Sequence, residues 1–235
     1  MKRNHKILIL GRSGSGKTLS ERNLDPATTG IINADRQELE FKHSGFRTVI
    51  GNDGKPDLVK SNYVETSKPN SVIKTLQIWN NVPTMKTVVL DTITHLVTSY
   101  YINEALGKDY GGYKELGTAF WNILDIVRKM NKNVVIFGHL KTEFNDDGIK
   151  EVTMKSHGKM IHEFEPESYF NILILAEVIK EDEELRYVFR TEPKNLAEKI
   201  KTPVNFIGDT VTRALDKYEL NDLNALLIKL DKFYS

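Results

Sequence analysis

The chain has 235 residues, no cysteine, 40% hydrophobic and 28% charged residues, and a formal net charge of +1. That length allows one large hydrophobic core, and the lack of cysteine excludes disulfides and thiolate metal sites. The near-neutral balance excludes a global field for nucleic acid, so any such site must be a local patch. Residues 6–10 read as a buried strand, running into Gly11-Arg12-Ser13-Gly14-Ser15-Gly16-Lys17-Thr18. Residues 16–23 read as a short helix stopped by Asp25-Pro26, and residues 30–34 as a second strand ending on Asp35-Arg36. Strand, glycine-rich turn, helix and strand open a βαβ unit and favour a parallel sheet.

Further on, residues 46–50 and 62–66 read as strands, and Pro69 opens a helix to about residue 80. Thr87-Val88-Val89-Leu90-Asp91 is the next strand. Residues 92–106 and 113–130 carry apolar positions at helical spacing, with a glycine-containing loop, 107–112, between them. Residues 133–139 form another buried strand, ending in Gly138-His139. The polar stretch 140–159 suggests a hairpin about residues 145–148. Residues 169–179 and 185–191 read as strands joined by the acidic turn 181–184, and 194–203 as a basic loop. Residues 210–235 read as mostly helical, with Leu220, Leu223, Leu227 and Leu230 available to one face. The basic start precedes an apolar run too short for a signal peptide, and no run reaches membrane-span length. The expectation is a cytoplasmic protein.

The chemistry starts at Gly11–Thr18, which matches G-x-x-x-x-G-K-[ST]. Its glycines let the backbone bend and aim N–H groups at one point, where a polyphosphate binds. Lys17 adds charge at the β/γ-phosphates, and Thr18 offers a hydroxyl to Mg²⁺. Four apolar or β-branched residues followed by Asp91 match the Walker B pattern, which sets a carboxylate beside the phosphate loop. Without the upstream loop, Asp91 would read as a helix cap. Asp91 is followed by Thr92 and not by a second acid, so the base lies elsewhere. Asp35, just past a strand end, reads as the base or as a turn residue, with Glu38, Glu40 and Glu65 as rivals. His139 reads as a γ-phosphate sensor or as a rim histidine.

The order of these motifs resembles a RecA-type core. Arg22-Asn23-Leu24-Asp25-Pro26, Ile31-Ile32-Asn33, Leu39-Glu40-Phe41-Lys42, Gly138-His139 and Gly158-Lys159-Met160 are similar to segments of phage RecA-like ATPases and single-strand annealing proteins. The resemblance covers about residues 5–207. It implies an α/β fold, with a three-layer RecA-like P-loop NTPase core, a largely parallel central sheet and an antiparallel hairpin near the C-terminal edge. Residues 1–235 would form one such domain, with the 210–235 helix packed on it. The expected activity is ATP hydrolysis with Mg²⁺, stimulated by single-stranded DNA, in a bacteriophage recombination protein working in a bacterial host. Expected partners are single-stranded DNA, further copies of the chain in a ring or filament, and a single-strand-binding protein, with no membrane. The resemblance carries over Gly11–Thr18 as phosphate loop, Asp91 as Mg²⁺ acid and His139 as sensor. Asp35 stands where RecA has a glutamate, and its shorter side chain departs from that pattern. Lys194, Lys199 and Lys201 are candidates, by chain position, for cations reaching a neighbouring subunit's γ-phosphate.

Single-strand sites combine cations for phosphates with aromatics for bases. Residues 107–113, with the adjoining Lys114, and 140–159 offer Lys108, Tyr110, Tyr113, Lys114, Lys141, Phe144, Lys150, Lys155, His157 and Lys159, mixed with Asp146, Asp147 and Glu151. A solvated loop of mixed charge would read the same way. Two further functions fit a P-loop. A small-molecule phosphotransferase would need a lid of arginines, and no cluster of arginines follows Arg47. A non-catalytic nucleotide-gated scaffold would dock a partner on the C-terminal leucines.

Overall fold

The computed structural model describes residues 3–39, 41–42, 45–108, 110–144, 148, 150–156, 165–195, 198–207 and 210–235, without the side chains of Tyr110, Lys150 and Ile207. Among the sequence positions singled out above, Glu40, residues 145–147 of the expected hairpin turn with Asp146 and Asp147, His157, Gly158, Lys159 and Met160 lie outside the described residues, as do the Tyr110 and Lys150 side chains.

The strands are β1 (Lys6–Gly11), β2 (Thr29–Asn33), β3 (Tyr63–Glu65), β4 (Thr87–Asp91), β5 (Asn133–Phe144), β6 (Lys150–Met154), β7 (Ile172–Glu181), β8 (Glu184–Arg190), β9 (Val204–Ile207), β10 (Thr210–Arg213) and β11 (Tyr218–Leu220). The α-helices are α1 (Pro69–Asn81), α2 (Ile93–Tyr100), α3 (Tyr110–Lys129) and α4 (Leu223–Phe233). The central sheet runs β11-β8-β7-β1-β5-β4-β2-β3, with β6 paired to β5. Its middle, from β7 to β3, is parallel, and the β7/β8, β8/β11 and β5/β6 pairs are antiparallel. One strand, β5, lies between the P-loop strand β1 and the Walker B strand β4. This is the expected RecA-like P-loop NTPase fold, antiparallel edge included.

β1 and β4 are buried at every position and have apolar middles, Ile7–Leu10 and Val88–Leu90, as parallel strands covered on both faces must. On one face Leu8, Leu10, Val88, Leu90, Val134 and Ile136 pack against Leu76 and Trp79 of α1, Leu96 of α2, and Phe120 and Leu124 of α3. On the other, Ile7, Ile9, Ile31, Val89, Val135 and Phe137 pack with Leu223, Leu226, Leu227 and Leu230 of α4.

Several sequence expectations are corrected. Residues 46–50 are not a strand of the sheet: Ile50 is 61% exposed and makes an isolated bridge to Pro56. Their main chain is held instead by the adjacent turn, through Asn62 Oδ1 accepting from Arg47 N–H and Ser61 Oγ from Val49 N–H. The edge beside β2 is taken by β3. The helix after the P-loop is a single 3-10 stretch, Thr18–Asn23. Residues 92–106 divide into α2, capped by Thr92 Oγ1 accepting from His95 N–H, and a wider π turn over Tyr101–Ala105. α3 starts at Tyr110, three residues before the expected 113, so the end of the expected 107–112 loop is already helical. β7 starts at Ile172, after a 3-10 turn over Pro166–Tyr169.

The largest correction is at the C-terminus. Residues 210–213 pair with β9 in a separate two-stranded ribbon, and 218–220 add β11 to the sheet. Only Leu223–Phe233 is helical, started by Asp222 Oδ1 accepting from Ala225 N–H. Leu220 sits on β11, 64% exposed, while Leu226 joins Leu223, Leu227 and Leu230 in the core. The β-branched Thr210-Val211-Thr212 run favours extended chain over helix.

Candidate nucleotide site

The functional side chains collect along the carboxyl edge of the parallel strands. Register sets Gly11 at the end of β1 beside His139 on β5 and Ala176 on β7, and Asn33 at the end of β2 beside Asp91 on β4. The P-loop, the sensor candidate and the Walker B acid therefore meet at one crevice, the place where an open parallel sheet binds ligands. Asp35 lies two residues past β2 at the same edge.

In the loop, Gly14 has φ 74° and Gly16 φ 81°, left-handed values that cost a residue with a Cβ. Gly16 is also crowded: a Cβ there would lie 2.7 Å from Tyr187 Cδ1 and 3.2 Å from Asn221 Oδ1. Lys17 is buried, and its ammonium donates to the Gly11 and Arg12 carbonyls at 3.1 and 2.9 Å. This bend holds the charge over the loop that would cradle a phosphate. Thr18 Oγ1 donates to Asp91 Oδ2 at 2.6 Å, and Asp91 is only 2% exposed. A hydroxyl and a carboxylate at hydrogen-bond distance, one from each motif, fit a divalent cation that takes few protein ligands and keeps its waters. Among the described residues no group of three His, Asp or Glu side chains could hold a metal. A Mg²⁺ ion at Thr18 and Asp91 would neutralise charge on nucleotide phosphate oxygens.

His139 is half-buried. Its main-chain N–H donates to Thr94 Oγ1 at 2.9 Å, and its carbonyl accepts from Lys155 N–H at 2.7 Å. Burial and then the Lys17 charge hold the imidazole below its ordinary value of 6.5, against a hydrogen bond to the Gly11 main chain that favours the proton. At neutral pH it is therefore a neutral imidazole touching the start of the P-loop. Asp35 is half-buried and accepts from Gln37 N–H at 3.2 Å, so it makes a local turn while remaining close enough to act electrostatically on both His139 and Glu21.

Glu21 was not singled out from the sequence. It follows Thr18 by three residues on the 3-10 helix, is 0% exposed, and among the described residues has no hydrogen-bond partner for either carboxyl oxygen. Burial, then Asp91, then Asp35 push its pKa well above the ordinary 4.5. A charged residue on a short helix normally reads as solvated, and Leu19 is the residue that hydropathy alone would bury. The structure instead buries Ser20 and Glu21. Thr94 was missed too. It is an ordinary helix residue in the sequence, and only the packing of α2 on β5 brings it to His139.

Beside the P-loop lies a cavity of about 440 Å³, with Arg12, Ser13 and Gly14 on one side, Leu140 and Val152 of the β5/β6 hairpin on another, and Arg190 and Lys194 on a third. Arg190 is 1% exposed and is engaged through both terminal nitrogens: it donates to Glu198 at 2.6 and 2.8 Å, lies 3.0 Å from Glu177 Oε1, and donates to the Glu192 carbonyl at 2.7 Å. Lys194, 3.4 Å from Glu177, thus stands near the P-loop of its own chain. Lys199 and Lys201 do not join it. Lys199 lies 3.6 Å from Glu165, and Lys201 donates to the Glu167 and Phe170 carbonyls at 2.8 and 3.0 Å.

The other loop cations are dispersed. Lys108 is 3.6 Å from Glu115, Lys141 pairs with Glu143, and Phe144 is 73% exposed. Lys155 is exposed directly after β6. Tyr113 shares a 3.3 Å hydrogen bond with Tyr101. No helix among the described residues is long and apolar enough to cross a membrane.

No curated protein shows significant similarity to the chain. Among solved structures, it is similar to a KaiC-like protein from Pyrococcus horikoshii OT3, with 12% identity, 89% of this chain and 88% of that one covered, and a TM-score of 0.44. It is also similar to the flagellar accessory protein FlaH from Methanocaldococcus jannaschii, with 13% identity, 92% and 87% covered, and a TM-score of 0.45. The family model described as AAA domain (AAA_24) matches residues 3–199, the span that holds the P-loop, Asp91 and His139. The chain belongs to this AAA domain family.

Proposed function

We propose that the protein is a bacteriophage recombinase that hydrolyses ATP with Mg²⁺, binds single-stranded DNA and acts as a homo-oligomer that promotes annealing or recombination. The observation that carries this reading is the continuity of β5. The strand passes the P-loop at His139, continues to Phe144 and returns through β6, and Lys155 N–H then closes on the His139 carbonyl. Thr94 ties the two further, accepting from His139 N–H at 2.9 Å and donating to the Lys155 carbonyl at 3.4 Å. A change at the γ-phosphate that moves His139 therefore pulls on a hairpin carrying an exposed Lys141, Phe144 and Lys155. Those are the cation and aromatic types that hold single strands. Asp35 is the base in this reading, Lys17 and Thr18 hold phosphate and Mg²⁺, and Lys108 and Tyr110 are further DNA contacts. Lys194 is the cation best placed for a γ-phosphate.

The test is ATP hydrolysis with and without single-stranded DNA, with the size of the complexes measured in parallel. The expected result is faster hydrolysis and larger assemblies with DNA. A rate and an assembly state that both ignore DNA would sink the reading.

A further inference from the structure

Glu21 is a buried acid that the reading above leaves unused. Among the described residues, neither of its carboxyl oxygens has a hydrogen-bond partner, within a fully covered site. A buried acceptor left this way keeps the full cost of its lost hydration, so native interiors supply a protein or water partner. The donors of this corner are committed elsewhere. Thr18 donates to Asp91, the Tyr63 hydroxyl to Glu65, and the Asn33 amide to the Gln37 carbonyl and the Tyr63 oxygen. The groups that act on Glu21 most strongly, after burial, are two further acids, Asp91 and Asp35. What the corner lacks is a donor that arrives together with positive charge.

A hydrated divalent cation has both properties, because Mg²⁺ keeps several of its waters when it binds through one or two protein oxygens. We propose that Glu21 is a positioning residue for the divalent cation, its carboxyl accepting a hydrogen bond from a water on the cation held by Thr18 and Asp91. The proposal rests on the Mg²⁺–nucleotide reading of this site. It gives the short helix two tasks: Thr18 touches the cation directly, and Glu21, three residues on, orients it from the interior side. Groups that act in this way on a bound metal typically change its affinity by about 10–100-fold when replaced.

The test is a Mg²⁺ titration of the full chain in saturating ADP, read by calorimetry and by the thermal midpoint. Glu21→Gln keeps the shape and removes the carboxylate, and Glu21→Asp keeps the acid but shortens its reach. Both variants are expected to need about tenfold more Mg²⁺ for half-saturation, with ADP affinity in chelator unchanged. If either folded variant has a Mg²⁺ midpoint within about twofold of the wild type, the proposal falls, even where its stability has changed. A wild type whose ADP binding ignores Mg²⁺ would instead overturn the Mg²⁺–nucleotide reading beneath it.

Discussion

Replacing Thr18 by Val tests the centre of the site with one change of almost constant shape. It deletes the hydroxyl that donates to Asp91 Oδ2 at 2.6 Å. A hydrogen bond to a charged group contributes about 1.5–3 kcal/mol. Thr18 is half-buried and Asp91 almost fully buried, so a loss of about 2 kcal/mol is expected. In a chain of this size each kcal/mol moves the thermal midpoint by about 2–4 °C, which predicts a drop of about 4–8 °C without ligand. The second effect is on binding. Nucleotide with Mg²⁺ at 100 times Kd stabilises the wild type by about 2.7 kcal/mol, or about 5–11 °C. A hundredfold weaker variant gains only about 0.4 kcal/mol under the same conditions. Thr18→Ser, which keeps the hydroxyl, should restore both effects. Thermal unfolding with and without Mg²⁺–nucleotide measures them together. A Val variant that melts with the wild type, or that keeps the full nucleotide shift, refutes the assignment of Thr18 to Asp91 and the cation.

Two further outcomes follow from the same geometry. Arg190→Met removes the cation between Glu177 and Glu198 and leaves their carboxylates facing each other in a buried corner, which should cost about 3–5 kcal/mol in urea unfolding. A loss below about 1 kcal/mol would show that the cluster contributes little to stability. His139 is held below its ordinary 6.5, so the unfolded chain takes up the proton first as pH falls. Its contribution to stability is complete above 6.5 and is lost progressively below that value, until the folded form also protonates. The difference in thermal midpoint between wild type and His139→Gln should therefore be constant at pH 7–8 and shift against the wild type below about 6.5. A difference that stays flat through that window would mean the imidazole is not held neutral.

The legible parts of the molecule were those where local pattern and tertiary demand coincide. The runs ending in Gly11, Asp91 and His139 are apolar because parallel strands are buried on both faces, so hydropathy alone located them. The P-loop was legible because its shape is a property of its own backbone: glycine at positions 14 and 16 answers left-handed dihedrals that few other residues adopt. The C-terminus misled because Leu220 and the leucines after it continue one apolar spacing across a boundary. Asp222, the cap, breaks the backbone there without breaking the pattern. Residues 46–50 misled because a β-branched run has strand propensity whether or not a sheet edge is free for it.

By itself, the sequence determined the P-loop motif, the Walker B pattern ending at Asp91 and the α/β class, since each is written in contiguous residues with a local physical cause. The tertiary structure decided what surrounds them. Strand order placed β5 between β1 and β4, which brought His139 to Gly11 and hung Lys155 from His139 across 16 residues of chain. Packing of the short helix on the sheet turned Glu21 inward beside Asp91, against its charge. Neither outcome is encoded in spacing, because both depend on which surfaces distant segments cover, and the free energy of burying a carboxyl appears only once its neighbours are in place.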